Sequence, residues 1–156
     1  MKKIMAVLAL LLVSFGLVAC DQSSLQKITF ETNQGTTIDP IEFSESYDIT
    51  RLSQFTTTRE GYTFAGWFTN ASLDASSALT ENIEKSVTLY AKWNINQYSI
   101  TYYLNEGVNA SGNPSSFTIL DTVNLQNPTR SGYVFAGWHK DALLTQVVTS
   151  IPVGSK

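Results

Sequence analysis

A ten-residue phrase occurs twice in this chain and limits what the chain can fold into. Residues 58–67 read TREGYTFAGW and residues 129–138 read TRSGYVFAGW, so eight of ten letters agree, and corresponding glycines are 71 positions apart. Repetition at a fixed period indicates tandem copies of one small structural unit. With 156 residues and 43% apolar content, the chain is ordinary globular material that can form two small cores.

The phrase predicts a turn followed by a strand that packs with aromatic rings. The first glycine of each copy suits a turn that needs a positive φ before the strand. The second glycine lies inside strand-like sequence, which indicates a bulge or a place where the missing Cβ makes room for a ring. The residues expected to form this repeated packing motif, with the tryptophan of the closing strand, are Gly61, Tyr62, Phe64, Gly66, Trp67, Trp93, Gly132, Tyr133, Phe135, Gly137 and Trp138.

Alternating strands mark the limits of the two copies. The segment KITFETN opens the first copy with Ile28 and Phe30 on one face, and VTLYAKW closes it with apolar residues at alternate positions. The segment YSITYYL repeats the opening pattern 72 positions later. We therefore place module one at residues 27–93, a linker at residues 94–97 and module two at residues 98–156.

Module two stops before its own closing strand. By the repeat spacing, the counterpart of Trp93 falls near position 164, beyond Lys156. We expect a truncated gene or a fragment, or else a sheet with an unpaired edge, and we favour truncation. In the second case, module two could pair with another chain through this edge, because an exposed edge invites such pairing. In both cases we expect the incomplete module two to be the less stable module.

The amino-terminal residues have the layout of a secretory signal. Two lysines precede an apolar run and a small residue before Cys20. Residues 4–19 are fewer than the roughly twenty that a helix needs to cross a bilayer, so export is favoured over a membrane span. The sequence predicts a signal peptide at residues 1–19, followed by Cys20 and a short tether at residues 20–26.

The segment Leu17, Val18, Ala19 and Cys20 resembles a bacterial lipobox. This resemblance implies diacylglycerol on the Cys20 sulfur and often an acylated amino group. Because two or three acyl chains hold a protein at a membrane where one does not, the chain would be exported and anchored to the outer face of the bacterial cell membrane. No intramolecular disulfide competes for Cys20, since it is the only cysteine.

No pattern indicates catalysis, a metal site or a cofactor. The only histidine, His139, has no cysteine partner for a typical zinc site, so we interpret it as a packing or surface residue. The evenly spaced acids Asp39, Glu42, Glu45 and Asp48 are interpreted as a solvated face. Without the signal, eight basic and thirteen acidic residues give a net charge of −5, which argues against a nucleic-acid partner.

The repeated segments resemble a known family. They are ITFETNQG, TREGYTFAGW and SVTLYAKW in module one, and ITYYLNEG and DTVNLQNPTRSGYVFAGW in module two. They are similar to the Listeria-Bacteroides repeat, also known as the internalin B-repeat type. The resemblance implies a mainly β or α+β fold: two tandem β-grasp-like modules after an amino-terminal signal helix, the second module incomplete. It also implies a spacer or adhesion-associated unit of bacterial surface proteins, with no catalytic residues.

Two function classes stay open at this point. The first is a non-enzymatic, lipid-anchored surface protein whose modules act as a stalk, a spacer or an adhesion-associated unit. The second is a surface lipoprotein in which a sheet edge, or exposed aromatics such as Tyr90, Tyr98 and Tyr103, bind a glycan or a peptide. Neither class requires a cofactor.

Overall fold

The computed structural model describes residues 25–156. The signal peptide, the lipobox residues 17–19 and Cys20 lie outside the described residues. Helical structure in residues 25–156 consists of two short 3₁₀ segments, Ile49–Gln54 and Ala75–Ser77, so the predicted mainly β class is confirmed. The strands are β1 Gln26–Glu31, β2 Ile41–Phe43, β3 Tyr62–Phe68, β4 Val87–Ile95, β5 Gln97–Ser99, β6 Ser116–Thr118, β7 Val123–Asn124, β8 Trp138–His139, β9 Val147–Val148 and β10 Ser150–Ile151.

Module one is built on a four-stranded mixed sheet. The strand order is β2-β1-β4-β3, in which β1 and β4 are parallel and the other pairs are antiparallel. The closing strand β4 therefore lies in the middle of the sheet and is paired along both edges. In the register, Ile28 of β1 lies beside Val87, and Trp67 of β3 lies opposite Ala91.

The core of module one lies on one face of this sheet. The alternation seen in the sequence places Leu89 and Ala91 of β4 on that face, and both are completely buried, as is Ile28 of β1. Full burial of a leucine or isoleucine side chain contributes about 1.5–3 kcal/mol. The remaining buried members of this cluster are Phe43, Tyr47, Leu52, Trp67 and Ile83.

The second glycine of the phrase marks a β-bulge. The register of β3 against β4 shifts between Phe64 and Gly66, and Gly66 has a φ of +119°. The expectation that a missing Cβ makes room for a ring is wrong, because a Cβ at Gly66 would come no closer than 3.9 Å to the Phe68 ring. Glycine is needed at Gly66 for its backbone conformation, which L-residues rarely adopt. Gly137 repeats this with a φ of +133° and a nearest side-chain atom at 3.8 Å.

Module two contains three separate two-stranded sheets: β5–β6, β7–β10 and β8–β9. Its buried hydrophobic side chains in the described part of the chain are Phe117 and Val123. Residues 100–103 and 133–137 correspond by sequence to strand residues of module one, but neither segment is in a strand. Module two therefore has a far smaller core than module one.

The expected linker is largely strand. Strand β4 continues to Ile95 and β5 begins at Gln97, which leaves Asn96 alone between them. The Asn96 backbone N–H donates to the Gly61 carbonyl at 2.9 Å, and its side-chain oxygen accepts from the Thr63 hydroxyl at 2.7 Å. These contacts fix the connection to the repeated turn of module one.

Candidate functional site

The repeated turn has the same construction in both modules. Gly61 and Gly132 have φ values of +76° and +80°, the conformation that this turn requires. The arginine two residues before each glycine stacks over the tyrosine directly after it. The guanidinium carbon lies 3.9 Å from the ring centroid for Arg59 on Tyr62 and 4.0 Å for Arg130 on Tyr133.

These arginines belong to the motif, although the sequence interpretation did not include them. Arg59 donates to the Asn33 carbonyl at 3.3 Å and to the Gln34 side chain at 3.0 Å. Arg130 forms an ion pair with Glu106, the counterpart of Gln34. The signal was available in the sequence, because an arginine occurs at this position in both copies. The two arginines therefore connect the turn to residues 33–34 in module one and to Glu106 in module two, although an exposed ion pair such as that of Arg130 contributes little to stability.

An aromatic cluster follows the turn in module one. Because of the bulge, Phe64 and Trp67 contact each other, with ring centroids 5.2 Å apart, although they are three residues apart on one strand. The Trp67 ring also packs on Phe30 at 4.9 Å, and Phe64 packs on Trp93 at 5.5 Å. The Trp93 indole N–H donates to the Thr32 carbonyl at 2.9 Å. Of the aromatic residues in the phrase, Trp67 reaches the core, whereas Phe64 stays 36% exposed.

Part of this cluster is reproduced in module two. The rings of Phe135 and Trp138 are 5.2 Å apart, and Tyr102 and Trp138 are 5.4 Å apart. The Trp138 indole N–H donates to the Gln126 carbonyl at 3.0 Å. Trp138 is only half-buried, however, whereas Trp67 is 8% exposed. The same aromatic arrangement therefore forms the core of one module and an accessible surface in the other.

This accessible surface lines an open groove in module two. Residues 99–105 and residues 133–139 are among the residues that line it. The groove has a volume of about 1050 Å³. Large apolar side chains on its walls face solvent, including Tyr103 at 84%, Tyr133 at 65% and Val134 at 95% exposure. Large apolar side chains that are exposed around one groove are typical of an interaction site.

The two modules contact each other directly. A Cβ added at Gly61 would lie 2.6 Å from two carbons of the Ile119 side chain, so the isoleucine of module two packs against the bare glycine of module one. At Gly132 no such neighbour lies within 4 Å. An ion pair of 2.7 Å between Glu60 and Lys156 also joins the modules. Gly61 therefore both forms the turn and leaves space for Ile119, whereas Gly132 only forms the turn.

Asp141 organises the loop that follows β8. Its carboxylate accepts backbone N–H groups from Leu143 at 3.0 Å, Thr145 at 3.1 Å and Gln146 at 2.8 Å. These hydrogen bonds lower the pKa of the Asp141 carboxyl below its ordinary value of 3.8, and the one from the Thr145 backbone has the largest effect. Because all these hydrogen bonds lie within one loop, the role of Asp141 is to hold the conformation of that loop.

The described residues offer no arrangement typical of a metal centre. Within residues 25–156, no cluster of three or more histidine, cysteine, aspartate or glutamate side chains could hold a metal ion. His139 is half-buried in β8, where it pairs with Val147. Over the same range, no helix combines the length and the apolar character needed to cross a membrane.

The profile of the Listeria-Bacteroides repeat domain matches the chain twice, at residues 27–92 and residues 98–154. The chain belongs to the Listeria-Bacteroides repeat family. The two matches cover most of the chain and coincide with the two copies of the repeated turn. Repeats of this type therefore make up the part of the chain that the structure describes.

Relatives of this repeat protein are large proteins of bacteria. Two proteins of Evansella cellulosilytica, named as a Gly-rich membrane protein and a membrane protein, are 32% and 30% identical to it. Both matches cover 76% of this chain, but 14% and 18% of the relatives. Internalin H of Listeria monocytogenes is 31% identical over 53% of this chain and 15% of its own length. No solved structure matches the repeat protein.

The chain spans less than a fifth of these relatives, which are named as membrane proteins or as an internalin and not as enzymes. What the repeat protein shares with them is therefore a repeat-bearing region.

Proposed function

We propose that this repeat protein is a non-enzymatic, lipid-anchored bacterial surface protein whose two modules act as a spacer or an adhesion-associated unit. The observation that carries the proposal is the joint between the modules. The strands β4 and β5 are separated by Asn96 alone, and Ile119 packs on Gly61. Two modules connected in this way hold a fixed relative orientation, which is what a spacer requires.

The short tether supports a position close to the membrane. Between Cys20 and the start of β1 at Gln26 the chain can extend at most about 20 Å. A lipid on Cys20 would therefore place module one next to the bilayer and direct module two away from it. The relatives named as membrane proteins and as an internalin are in keeping with such a location.

Lipid attachment is tested by metabolic labelling with radioactive palmitate. Cells expressing the wild type should incorporate label into the protein, and cells expressing Cys20→Ala should not, because the thiol carries the diacylglycerol. Ser23→Ala, a change within the tether, is the matched control and should be labelled like the wild type. Equal labelling of the wild type and Cys20→Ala would exclude Cys20 as the attachment point.

A ligand-binding surface protein is the second candidate, and the groove of module two favours it. Exposed tyrosines such as Tyr103 and Tyr133 could stack on sugars or cover a peptide. A glycan array probed with the purified protein distinguishes the two candidates. Saturable glycan binding that is lost in Tyr103→Ala would support this alternative over a simple spacer.

A further inference from the structure

The strands that open and close module one lie next to each other in the middle of its sheet. β1 and β4 run parallel, with β2 on the outer side of β1 and β3 on the outer side of β4. The chain enters β1 at Gln26 and leaves β4 at Ile95. Because the two strands are parallel, these two points lie at opposite ends of the sheet. A pull between them therefore runs along the strands.

We propose that module one is a force-bearing unit in which β1 and β4 form a mechanical clamp. A pull along the chain moves the two strands in opposite directions, so the hydrogen bonds between them are loaded in shear and have to break together. If the strands are instead pulled apart from one end, the same bonds break one after another. The force-bearing role rests on the proposed spacer function, whereas the clamp is a property of module one alone.

The main-chain ladder is the centre of the clamp. Four residue pairs are in register, from Ile28 beside Val87 to Glu31 beside Tyr90. The hydrogen bonds of a parallel ladder are evenly spaced along the strands. Because of this even spacing, a load in shear is divided among the bonds, and no single bond carries all of it.

Side chains extend the clamp before the ladder begins. The Ser86 hydroxyl accepts a hydrogen bond from the Lys27 backbone N–H at 3.0 Å, and the Ser86 backbone N–H donates to the Gln26 side-chain oxygen at 2.8 Å. The Ser86 hydroxyl also donates to that oxygen, at 3.1 Å. The start of β1 is thus joined to the residue that precedes β4, at the point where the chain enters the module.

Side chains also extend the clamp after the ladder ends. The Asn33 amide N–H donates to the Ala91 carbonyl at 2.7 Å, and the Trp93 indole N–H donates to the Thr32 carbonyl at 2.9 Å. Each of these bonds joins the chain just after β1 to the second half of β4. A movement of β4 along β1 has to break these bonds as well as those of the ladder.

The core keeps water away from one face of the clamp. Ile28 of β1 and both Leu89 and Ala91 of β4 are completely buried. The outer edges of the two strands are paired with β2 and β3. A hydrogen bond in such surroundings is electrostatically stronger than one in water. On this face, water can replace the bonds of the clamp only after the strands have moved.

The joint delivers a load from module two directly to β4. Asn96 alone separates β4 from β5, so no flexible linker lies between them. Asn96 is itself fixed by the hydrogen bond of its backbone N–H to the Gly61 carbonyl and by that of its side chain to the Thr63 hydroxyl. A pull on module two is therefore transmitted to the carboxyl end of β4.

The test pulls the full-length chain, in detergent, in two directions with optical tweezers. DNA handles are attached through cysteines in a Cys20→Ala background. Leu25→Cys with Gln97→Cys directs the load along the strands, whereas Leu25→Cys with Lys85→Cys pulls the starts of β1 and β4 apart. The three attachment residues are exposed, and module two lies outside the loaded segment in both cases.

We expect module one to unfold at a severalfold higher force in the first direction, because the bonds of the clamp then break together. Both double-cysteine proteins should have the same thermal unfolding midpoint, since they differ only at exposed side chains, whereas the force reports the barrier to unfolding. Equal forces in the two directions would overturn the proposal. They would leave the lipid attachment of Cys20 untouched, just as a failure of palmitate labelling would leave the clamp untouched.

A pair of serine variants tests the extension of the clamp before the ladder. Ser86→Ala removes the hydroxyl that accepts from the Lys27 N–H and should lower the unfolding force along the strands. Ser46→Ala, at an exposed serine outside the clamp, is the matched control and should unfold at the force of the parent protein. An unchanged force in Ser86→Ala would contradict the contribution of these side-chain bonds.

Discussion

At the scale of single residues, glycine conformation explains the repeated phrase better than ring size. Gly66 and Gly137 have positive φ values at corresponding positions, although neither makes room for a neighbouring ring. Gly61 combines a positive φ with the close approach of Ile119. The phrase is therefore repeated because its backbone path, with a turn and a bulge, needs glycine at two fixed positions.

We expect Gly66→Ala to lower the free energy of unfolding of module one by about 1–3 kcal/mol, because an L-residue is strained at a φ of +119°. The cost is conformational, since the nearest atom to the added methyl group is 3.9 Å away. Chemical denaturation, monitored by tryptophan fluorescence, measures this loss in the free energy of unfolding. Ala65→Ser, at the exposed neighbour, is the control and should change stability little. If both variants unfold alike, the bulge relaxes without strain.

Asp141 makes the stability of module two dependent on pH. Its hydrogen bonds lower the pKa of the folded-state carboxyl below the ordinary value of 3.8. The stabilisation is therefore complete above that value and is lost as the pH falls through the lower pKa of the folded state. Thermal unfolding of the wild type below pH 3.8 should show a loss of stability that is reduced in Asp141→Asn. Asp39→Asn, which changes an exposed carboxylate, should behave like the wild type; an identical acid response of all three proteins would contradict this role.

At the scale of the elements, the strand between β1 and β3 determines how complete each module is. In module one, the central position of β4 provides the fully buried Leu89 and Ala91 and carries Trp93 to the aromatic cluster. In module two, residues 100–103 and 133–137 are not in strands, and Phe117 and Val123 are its buried hydrophobic residues within the described part of the chain. Similar local sequence thus gives a seven-residue strand β3 in one copy and a two-residue strand β8 in the other.

Module two should be the less stable module. In variants that keep a single tryptophan, with phenylalanine at the other two positions, acrylamide should quench Trp138 more strongly than Trp67. The reason is that Trp138 is half-buried and Trp67 is 8% exposed. The fluorescence of Trp138 should also change at a lower denaturant concentration. Better protection of Trp138 than of Trp67 would reverse the ranking of the modules.

At the scale of the whole molecule, the joint makes two repeats into one unit. The contact of Ile119 with Gly61 and the ion pair between Glu60 and Lys156 both involve the repeated turn of module one and distant parts of module two. The ion pair is exposed and contributes little to stability, so the isoleucine contact and the strand connection carry the joint.

Ile119→Ala should loosen this joint. Nitroxide labels at Ser76→Cys and Asn127→Cys, in a Cys20→Ala background, report the distance between the modules by pulsed electron spin resonance. Its distribution should broaden in Ile119→Ala because the packing on Gly61 is removed. Leu120→Ala, at a residue that is 62% exposed, should leave the distribution unchanged. An equally narrow distribution in both variants would show that the strand connection alone fixes the orientation.

The amino-acid sequence by itself determined the repeat, its period and the local conformations. The turn and bulge conformations at Gly61 and Gly66, and at their counterparts in module two, depend on neighbouring residues in the chain. The alternation that buries Leu89 and Ala91 depends on neighbouring residues in the same way. Local preference and side-chain periodicity are sufficient for such predictions. The exposed carboxylates and the absence of a catalytic motif were interpreted on the same basis.

The tertiary structure alone decided the joint and the exposure of each aromatic ring. Ile119 is 58 positions from Gly61 in the sequence, and no local pattern indicates that the two will meet. Trp67 and Trp138 occur in nearly the same phrase, yet one is buried and the other is accessible. The burial of a residue depends on the elements that pack over it. Nearly identical local sequences therefore have different exposures where the neighbouring strands differ.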